Sequence, residues 1–322
     1  MSGTTIVASS FLAGAMVLGA DIAISQTYPV KPVRIVAAEV GGTGDVLARM
    51  VAEGLSGSLG QQVIVDNRGG NVIGPAQIVA KALPDGYTTI LYGSSFWLVP
   101  LMREHTPYDA VKDFSAISSV AKTMIILLVH PSLPVKSVKD LIALAKARPG
   151  ELNYAAGTVG AISHLAGKLF KAMASVEITD INFKGEGPAF VALVGGQVQV
   201  SFLTAGVVAP MIKAGKLNAL AITSAEPSAL FPGVPTVAAS GLPGYEAAIL
   251  YGMLAPAGTP APVVNRLSAE TARFLQKADV KEKLLGLGIE STGSTPAEFA
   301  ATIKSDMTRM GKVIKDAGIR ID

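Results

Sequence analysis

One stretch constrains this chain more than any other: Arg34-Ile-Val-Ala-Ala-Glu-Val-Gly-Gly-Thr-Gly-Asp-Val-Leu-Ala-Arg49. The β-branched run from Arg34 to Val36 reads as a strand. Gly41, Gly42 and Gly44 then make a loop with little side chain in the way, and Val46, Leu47, Met50, Val51 and Leu55 follow at helical spacing. A strand, a glycine loop and a helix in that order leave the first helical N–H groups unpaired at the loop mouth, where the helix dipole adds partial positive charge. An anion such as a carboxylate can sit there, held by backbone alone. The same stretch also fits an ordinary tight βα turn, with Asp45 as a first-turn acid.

The pattern recurs. Gln62–Asp66 and Tyr87–Tyr92 read as strands, the second running straight into Gly93-Ser94-Ser95, and Ile73 to Leu83 reads as a short helix. Met124-Ile-Ile-Leu-Leu-Val129 is a continuous apolar run of the kind that fits a strand buried on both faces. Ser137 to Ala147 is an amphipathic helix with Ser137 as its N-cap. Leu152–Ala155, the loop Ala156–Gly160 and a helix over Ile162–Ala174 then repeat the opening architecture. Further strands are expected over Val176–Phe183, Val198–Thr204 and Leu217–Thr223, with helices at Ala189–Val194 and Val207–Ala214. Tyr245 to Leu254 reads as a return crossover. Thr259-Pro260 is expected to start a helix, with threonine as N-cap and proline at N1, and Thr295-Pro-Ala-Glu298 opens the last helix as a capping box.

Strands alternating with helices predict an α/β chain of mainly parallel sheets flanked by helices, folded as two lobes joined by two crossing segments. The expected division is 26–124 with 250–322 in one lobe and 125–249 in the other. Ligands in such folds bind beyond the carboxyl ends of the strands. The loops at 41–45, 93–95, 156–160, 184–187 and 203–204 all follow expected strands, so they converge on one cleft. That makes Lys184 and Thr204 candidates beside the glycine loops.

Length and composition agree. At 322 residues with half of them hydrophobic and 16% charged, the chain can bury a large core in more than one unit. The net charge of +3 is scattered, with no patch suited to nucleic acid. Cysteine is absent, which removes disulfides, thiolate metal sites and a cysteine nucleophile. His105, His130 and His164 have no metal-ligand spacing. Residues 1–25 differ from the rest: Ile6 to Ala20 is apolar, and Ala23-Ile-Ser25 suits cleavage of a secretory signal after Ser25. Met1 to Ser10 carries no Lys or Arg, so an uncleaved leader stays open as the alternative.

The motifs of common enzyme classes are missing. GxxxxGK[ST] and GxSxG do not occur, and Gly42-Thr-Gly44 continues without the third glycine of a dinucleotide fingerprint. Ser163 and His164 are adjacent, but neighbours on a helix point about 100° apart and cannot pair as nucleophile and base. These absences favour binding over catalysis and imply no cofactor. A hydrolase or isomerase using Asp45 or His164 is the enzymatic alternative.

An ordered set of short motifs carries a family likeness. Tyr28-Pro-Val-Lys-Pro32, Gly41-Gly-Thr-Gly-Asp45, Asp66-Asn-Arg68, Pro84-Asp-Gly-Tyr87, His130-Pro-Ser-Leu-Pro-Val-Lys-Ser137, Ser163-His-Leu-Ala-Gly167, Gly195-Gly-Gln-Val198 and Leu254-Ala-Pro-Ala-Gly-Thr-Pro260 follow one another as they do in Bug-type extracytoplasmic solute receptors. These are the substrate-binding components of tripartite tricarboxylate transporters. The chain resembles them over essentially everything after the leader. The resemblance implies a periplasmic-binding-protein fold of the two-crossover type, closing on a small organic acid and serving, as a monomer, membrane transporter subunits. By position, it places Gly41, Gly42, Thr43, Gly44 and Asp45 in a first anion loop and Ser94 and Ser95 in a second. Ala156, Gly157 and Thr158 face them from the other lobe, with Ser163 and His164 at the following helix.

Three departures bear on the ligand. Glu39-Val40 stands where the family usually has an aromatic and proline stretch, the Asn67–Asn71 turn is short, and Leu203-Thr204 replaces a common Asp-Asn. Glu39 is either a solvated loop acid or a cleft residue; in the cleft it would repel a second carboxylate. A sensor that passes its ligand-bound state to a signalling partner uses the same fold and stays open as the alternative function.

Overall fold

The computed structural model describes residues 28–38, 40–69, 71–228 and 230–321. The leader and Glu39 lie outside the described residues. The first half runs β1 (Val33–Ala37), α1 (Thr43–Leu59), β2 (Val63–Asn67), α2 (Ile73–Ala80), β3 (Thr88–Gly93) and α3 (Ser95–Met102). The long β4 (Phe114–Val129) leads into α4 (Val138–Ala147), β5 (Asn153–Ala156), α5 (Ile162–Ala174), β6 (Thr179–Asn182), α6 (Glu186–Val194), β7 (Val200–Thr204), α7 (Ala205–Lys213) and β8 (Asn218–Ile222). The chain returns through β9 (Ala248–Pro256) and closes with α8 (Ala261–Leu275), α9 (Ala278–Gly286), β10 (Ile289–Ser291) and α10 (Pro296–Asp316).

The strands lie in the order β2-β1-β3-β9-β4-β7-β5-β6, with β8 and β10 also on β4. Two similar parallel units sit at the ends: β1 pairs in parallel with β2 and β3, and β5 with β6 and β7. Between them the pairing is antiparallel, because the crossing strands β4 and β9 run against their neighbours. The sheets are therefore parallel where βα units build them and antiparallel where the lobes join.

β4 belongs to both lobes. Phe114 to Met124 pairs with β9, whereas Ile125 to Val129 pairs with β7 and β8. The apolar run explains the second part. All five residues from Ile125 to Val129 are fully buried; Ile125, Leu127 and Val129 enter one core cluster, Ile126 and Leu128 the other. A strand alternates its side chains between faces, so a continuous apolar run is what burial on both faces requires.

Other elements follow the expected chemistry with small shifts. Ser137 caps α4 by accepting from the Asp140 N–H at 3.1 Å. The capping box at Thr295 and Glu298 is formed. Thr259 is not the cap of α8, however: Pro260 holds that position, and the Thr259 hydroxyl donates back to the Pro256 carbonyl at 2.8 Å. The front half of β4, α9 and β10 have no counterpart in the sequence reading. Trp97 is core, fully buried on α3, and its Nε1–H donates to Asp306 of α10 at 2.7 Å.

Candidate functional site

The loops after β1, β3, β5 and β6 meet in one cleft between the lobes. Gly42, Thr43 and Gly44 line one wall, with Tyr92, Gly93 and Ser95 beside them; Thr158 to Ile162 and Glu186 line the other. Ile249 and Tyr251 of the returning β9 form the floor. The cavity left between the walls is small, about 70 Å³, enough for a few waters.

Helix starts explain the wall chemistry. α1 begins at Thr43, with Gly42 as its N-cap, so the glycine loop is the first turn of the helix and not a lead-in to it. α3 begins at Ser95, α5 at Ile162, α6 at Glu186 and α7 at Ala205. The N-termini of α1, α3, α5 and α6 line the cleft, and each brings unpaired N–H donors and partial positive charge. Gly44 and Gly93 leave room for one ring: a Cβ on either would stand 3.5 Å or 3.2 Å from Cε1 of Tyr251.

Asp45 is buried, but it does not line the cleft. Its carboxylate accepts from the Gly41 N–H at 3.1 Å and the Asn67 side-chain amide at 3.0 Å, and pairs with Arg49 at 2.8 Å. Gly41 sits at φ 87°, where glycine is favoured. Both residues shape the loop from behind. Lys184, expected at the site, is exposed and does not line the cleft; Glu186, two residues on past Gly185 at φ 121°, does.

The opposite loop is layered. Ala156 and Gly157 are buried behind Thr158, and a Cβ on Gly157 would stand 2.9 Å from the Ser163 hydroxyl. Ser163 is held through its carbonyl by the Tyr154 hydroxyl, which donates to it. His164 is buried beneath the loop, with Nδ1 3.4 Å from the Gly160 N–H. Burial, reinforced by the Lys168 ammonium, pushes its imidazole down to about 4, so it is neutral at pH 7 and accepts at Nδ1. A neutral, loop-bound imidazole anchors the backbone.

Across the cleft, Thr43 and Thr204 hydroxyls meet at 2.8 Å, and the Thr204 hydroxyl donates to Glu186 at 2.6 Å. Among the described residues, the buried side-chain atoms with no partner are the hydroxyls of Ser94, Thr158, Ser163 and Thr271. Of these, Thr158 lines the cleft, and Ser94 and Ser163 are chain neighbours of the wall residues Ser95 and Ile162. Buried hydroxyls ordinarily find partners, so their concentration here marks a site built to hydrogen-bond something else.

Tyr92, Glu186, Ile249 and Tyr251 escaped the sequence reading. Tyr92 sits directly before a loop that was recognised. Glu186 carries a weak signal, an acid between two glycines at a helix start. The β9 residues reach the cleft only through the topology.

The chain matches the tripartite tricarboxylate transporter family receptor, TctC, over residues 47–319. It belongs to that family of solute-binding receptors. BugT of Bordetella pertussis is 35% identical over 305 residues, covering 92% of each chain. The structure of R. palustris Rpa4515 with adipate superposes with a TM-score of 0.86 at 36% identity, covering 91% of this chain and 99% of that one. MatC of Rhodopseudomonas palustris with bound malate gives 0.84 at 30% identity, covering 89% and 100%. The two-lobed α/β fold is that of the periplasmic binding proteins, and the chain is a receptor, not an enzyme. Among its described residues, no helix is long and apolar enough to cross a membrane, and no cluster of three acidic or histidine side chains suits a metal.

Proposed function

We propose that this receptor is exported to the periplasm, with its leader removed after Ser25, where it captures a small organic carboxylate and delivers it to a tripartite tricarboxylate-type membrane transporter. The lobes are residues 26–124 with 250–322, and 125–249. The observation that carries the reading is the set of buried, unpartnered hydroxyls of Ser94, Thr158 and Ser163, grouped where helix N-termini converge. Neutral donors and helix ends hold a carboxylate without an arginine fork. Thr43 and Gly44 on one wall and Thr158 on the other supply them, with Ser163 in the first turn of α5. The carboxylates bound by Rpa4515 and MatC support this chemistry.

The cycle is opening, capture and hinge closure onto the bound solute. No step makes or breaks a covalent bond. The test is thermal denaturation of the mature monomer across a panel of carboxylates. A ligand at about 100 times its Kd stabilises by roughly 2.7 kcal/mol. A panel without any shift would overturn the reading, and co-purification with the membrane subunits checks the delivery step.

A further inference from the structure

The first turn of α5 forms part of the second lobe's wall, through Ala161 and Ile162. It carries no side-chain cap: Ala161 holds the N-cap position and has nothing to accept with. Outside the cleft wall, α4 and α10 are capped by Ser137 and Thr295. A capped helix end has already used some of its N–H groups. An uncapped end keeps them for a ligand but loses the fixing bond. Something other than a cap must therefore hold this turn.

Two buried tyrosines meet α5. The Tyr154 hydroxyl, from β5, donates to the Ser163 carbonyl in the first turn. The Tyr245 hydroxyl, from the returning segment before β9, donates to the Ala166 carbonyl at 2.8 Å. Burial pushes both phenols well above their usual range, so each keeps its proton to donate. A carbonyl has two lone pairs and can accept from a phenol and from its own helix at once. Tyr154 lies hard against the helix backbone: a Cβ on Gly167 would stand 2.3 Å from its Cζ and 2.6 Å from its hydroxyl oxygen. Ser163 and Gly167 are one helical turn apart, so glycine at 167 is what lets the ring reach the carbonyl. Phe202 of β7 packs on the same ring edge to face, with 5.8 Å between centroids.

Resting on the reading above, we propose that Tyr154 is a positioning residue for solute binding: its hydroxyl stands in for the missing cap by fixing the Ser163 carbonyl, and so holds the first N–H groups of α5 aimed at the cleft. It acts through the helix and does not touch the solute. Tyr245 makes the same kind of bond three residues further along and holds the body of the helix, not its end.

Calorimetric titration of the full receptor, unfolded and refolded to strip retained solute, tests this with acetate, lactate, malate and adipate on wild type, Tyr154→Phe and Tyr245→Phe. Each variant keeps the ring and loses one buried hydroxyl, and urea unfolding reports the stability of each without solute. Affinity separates them. Tyr154→Phe is expected to weaken binding of whichever of these carboxylates wild type takes by about three- to tenfold, the worth of one hydrogen bond. Tyr245→Phe is expected to stay within about twofold. A merely structural role would move the two together. Tyr154→Phe within about twofold of wild type, or both variants weakened equally, overturns the proposal and leaves the carboxylate reading standing. Wild type that binds none of the panel overturns both.

Discussion

The hydroxyl oxygens of Thr43 and Thr204 lie 2.8 Å apart although 161 residues separate them along the chain. Thr43 opens α1 beneath the first lobe's glycine loop; Thr204 ends β7 in the second. Their contact joins the lobes at the cleft, and Glu186 extends it. In Thr204→Val the shape is kept, but the donor to Glu186 and the acceptor for Thr43 are both lost. The closed arrangement should weaken by on the order of 1–3 kcal/mol. Small-angle scattering is expected to show a larger radius of gyration for this variant than for wild type, with Thr43→Val showing a smaller change. Identical scattering from wild type and Thr204→Val would show that the pair does not hold the lobes together.

Gly160 makes another contact between the lobes. At φ 85° it sits in the left-handed region, and an added Cβ would stand 3.0 Å from both Val99 of α3 and Ile321 near the carboxyl end. Gly160→Ala therefore adds backbone strain and wedges the lobes. The expected cost is about 1–2 kcal/mol of stability by urea unfolding. Solute affinity should fall alongside it, because closure carries the wedge and the open form does not. Affinity unchanged at reduced stability would place the strain in the loop alone.

The parallel units were legible in the sequence because local rules write them. A β-branched run, a glycine loop and a 3.6-residue apolar spacing are neighbours in the chain, and α5 occupies Ile162–Ala174 as its spacing indicates. The front half of β4 was not legible. Ser115, Ser118 and Ser119 dilute its apolar signal, and it is a strand because β9 pairs with it at long range. The same limit applied to the site. Loops following strands were readable, whereas Tyr251 reaches Gly44 and Gly93 only after about 160 further residues have folded and returned. At the loop after β6 the detail is local: Gly185, at φ 121°, stands between Lys184, which is exposed, and Glu186, which lines the cleft.

Thr223 stitches the two crossings together. It is fully buried where β4 changes partners. Its hydroxyl accepts from the Ile125 N–H at 3.0 Å and reaches the Ala247 carbonyl at 2.6 Å, while its backbone N–H donates to the Ile125 carbonyl at 2.9 Å. The isosteric Thr223→Val keeps the packing and strands a buried donor and a buried acceptor, each costing about 1–3 kcal/mol. We expect a loss of roughly 2–4 kcal/mol in urea unfolding. A loss below about 0.5 kcal/mol, the range of ordinary surface changes, would mean that water or a shifted backbone replaces both bonds.

His164 should make stability depend on pH in one direction. Its imidazole is held down at about 4 in the folded receptor, by burial first and by Lys168 second, against about 6.5 in an unfolded chain. Above pH 6.5 it is neutral in both states and contributes no slope. Between about 6.5 and 4 the unfolded chain takes up a proton that the folded chain refuses, so stability falls as pH falls. The difference is about 2 kcal/mol by pH 5 and levels off near roughly 3 kcal/mol below pH 4. His164→Gln removes this titration and leaves the rest. Urea unfolding of both proteins at pH 7.5 and pH 5 isolates the histidine as a difference of differences, in which the carboxylates common to both cancel. Wild type should lose about 2 kcal/mol more than the variant on acidification. Equal losses would mean that the imidazole is protonated as readily under the loop as in water, and that it does not meet the Gly160 N–H as a neutral acceptor.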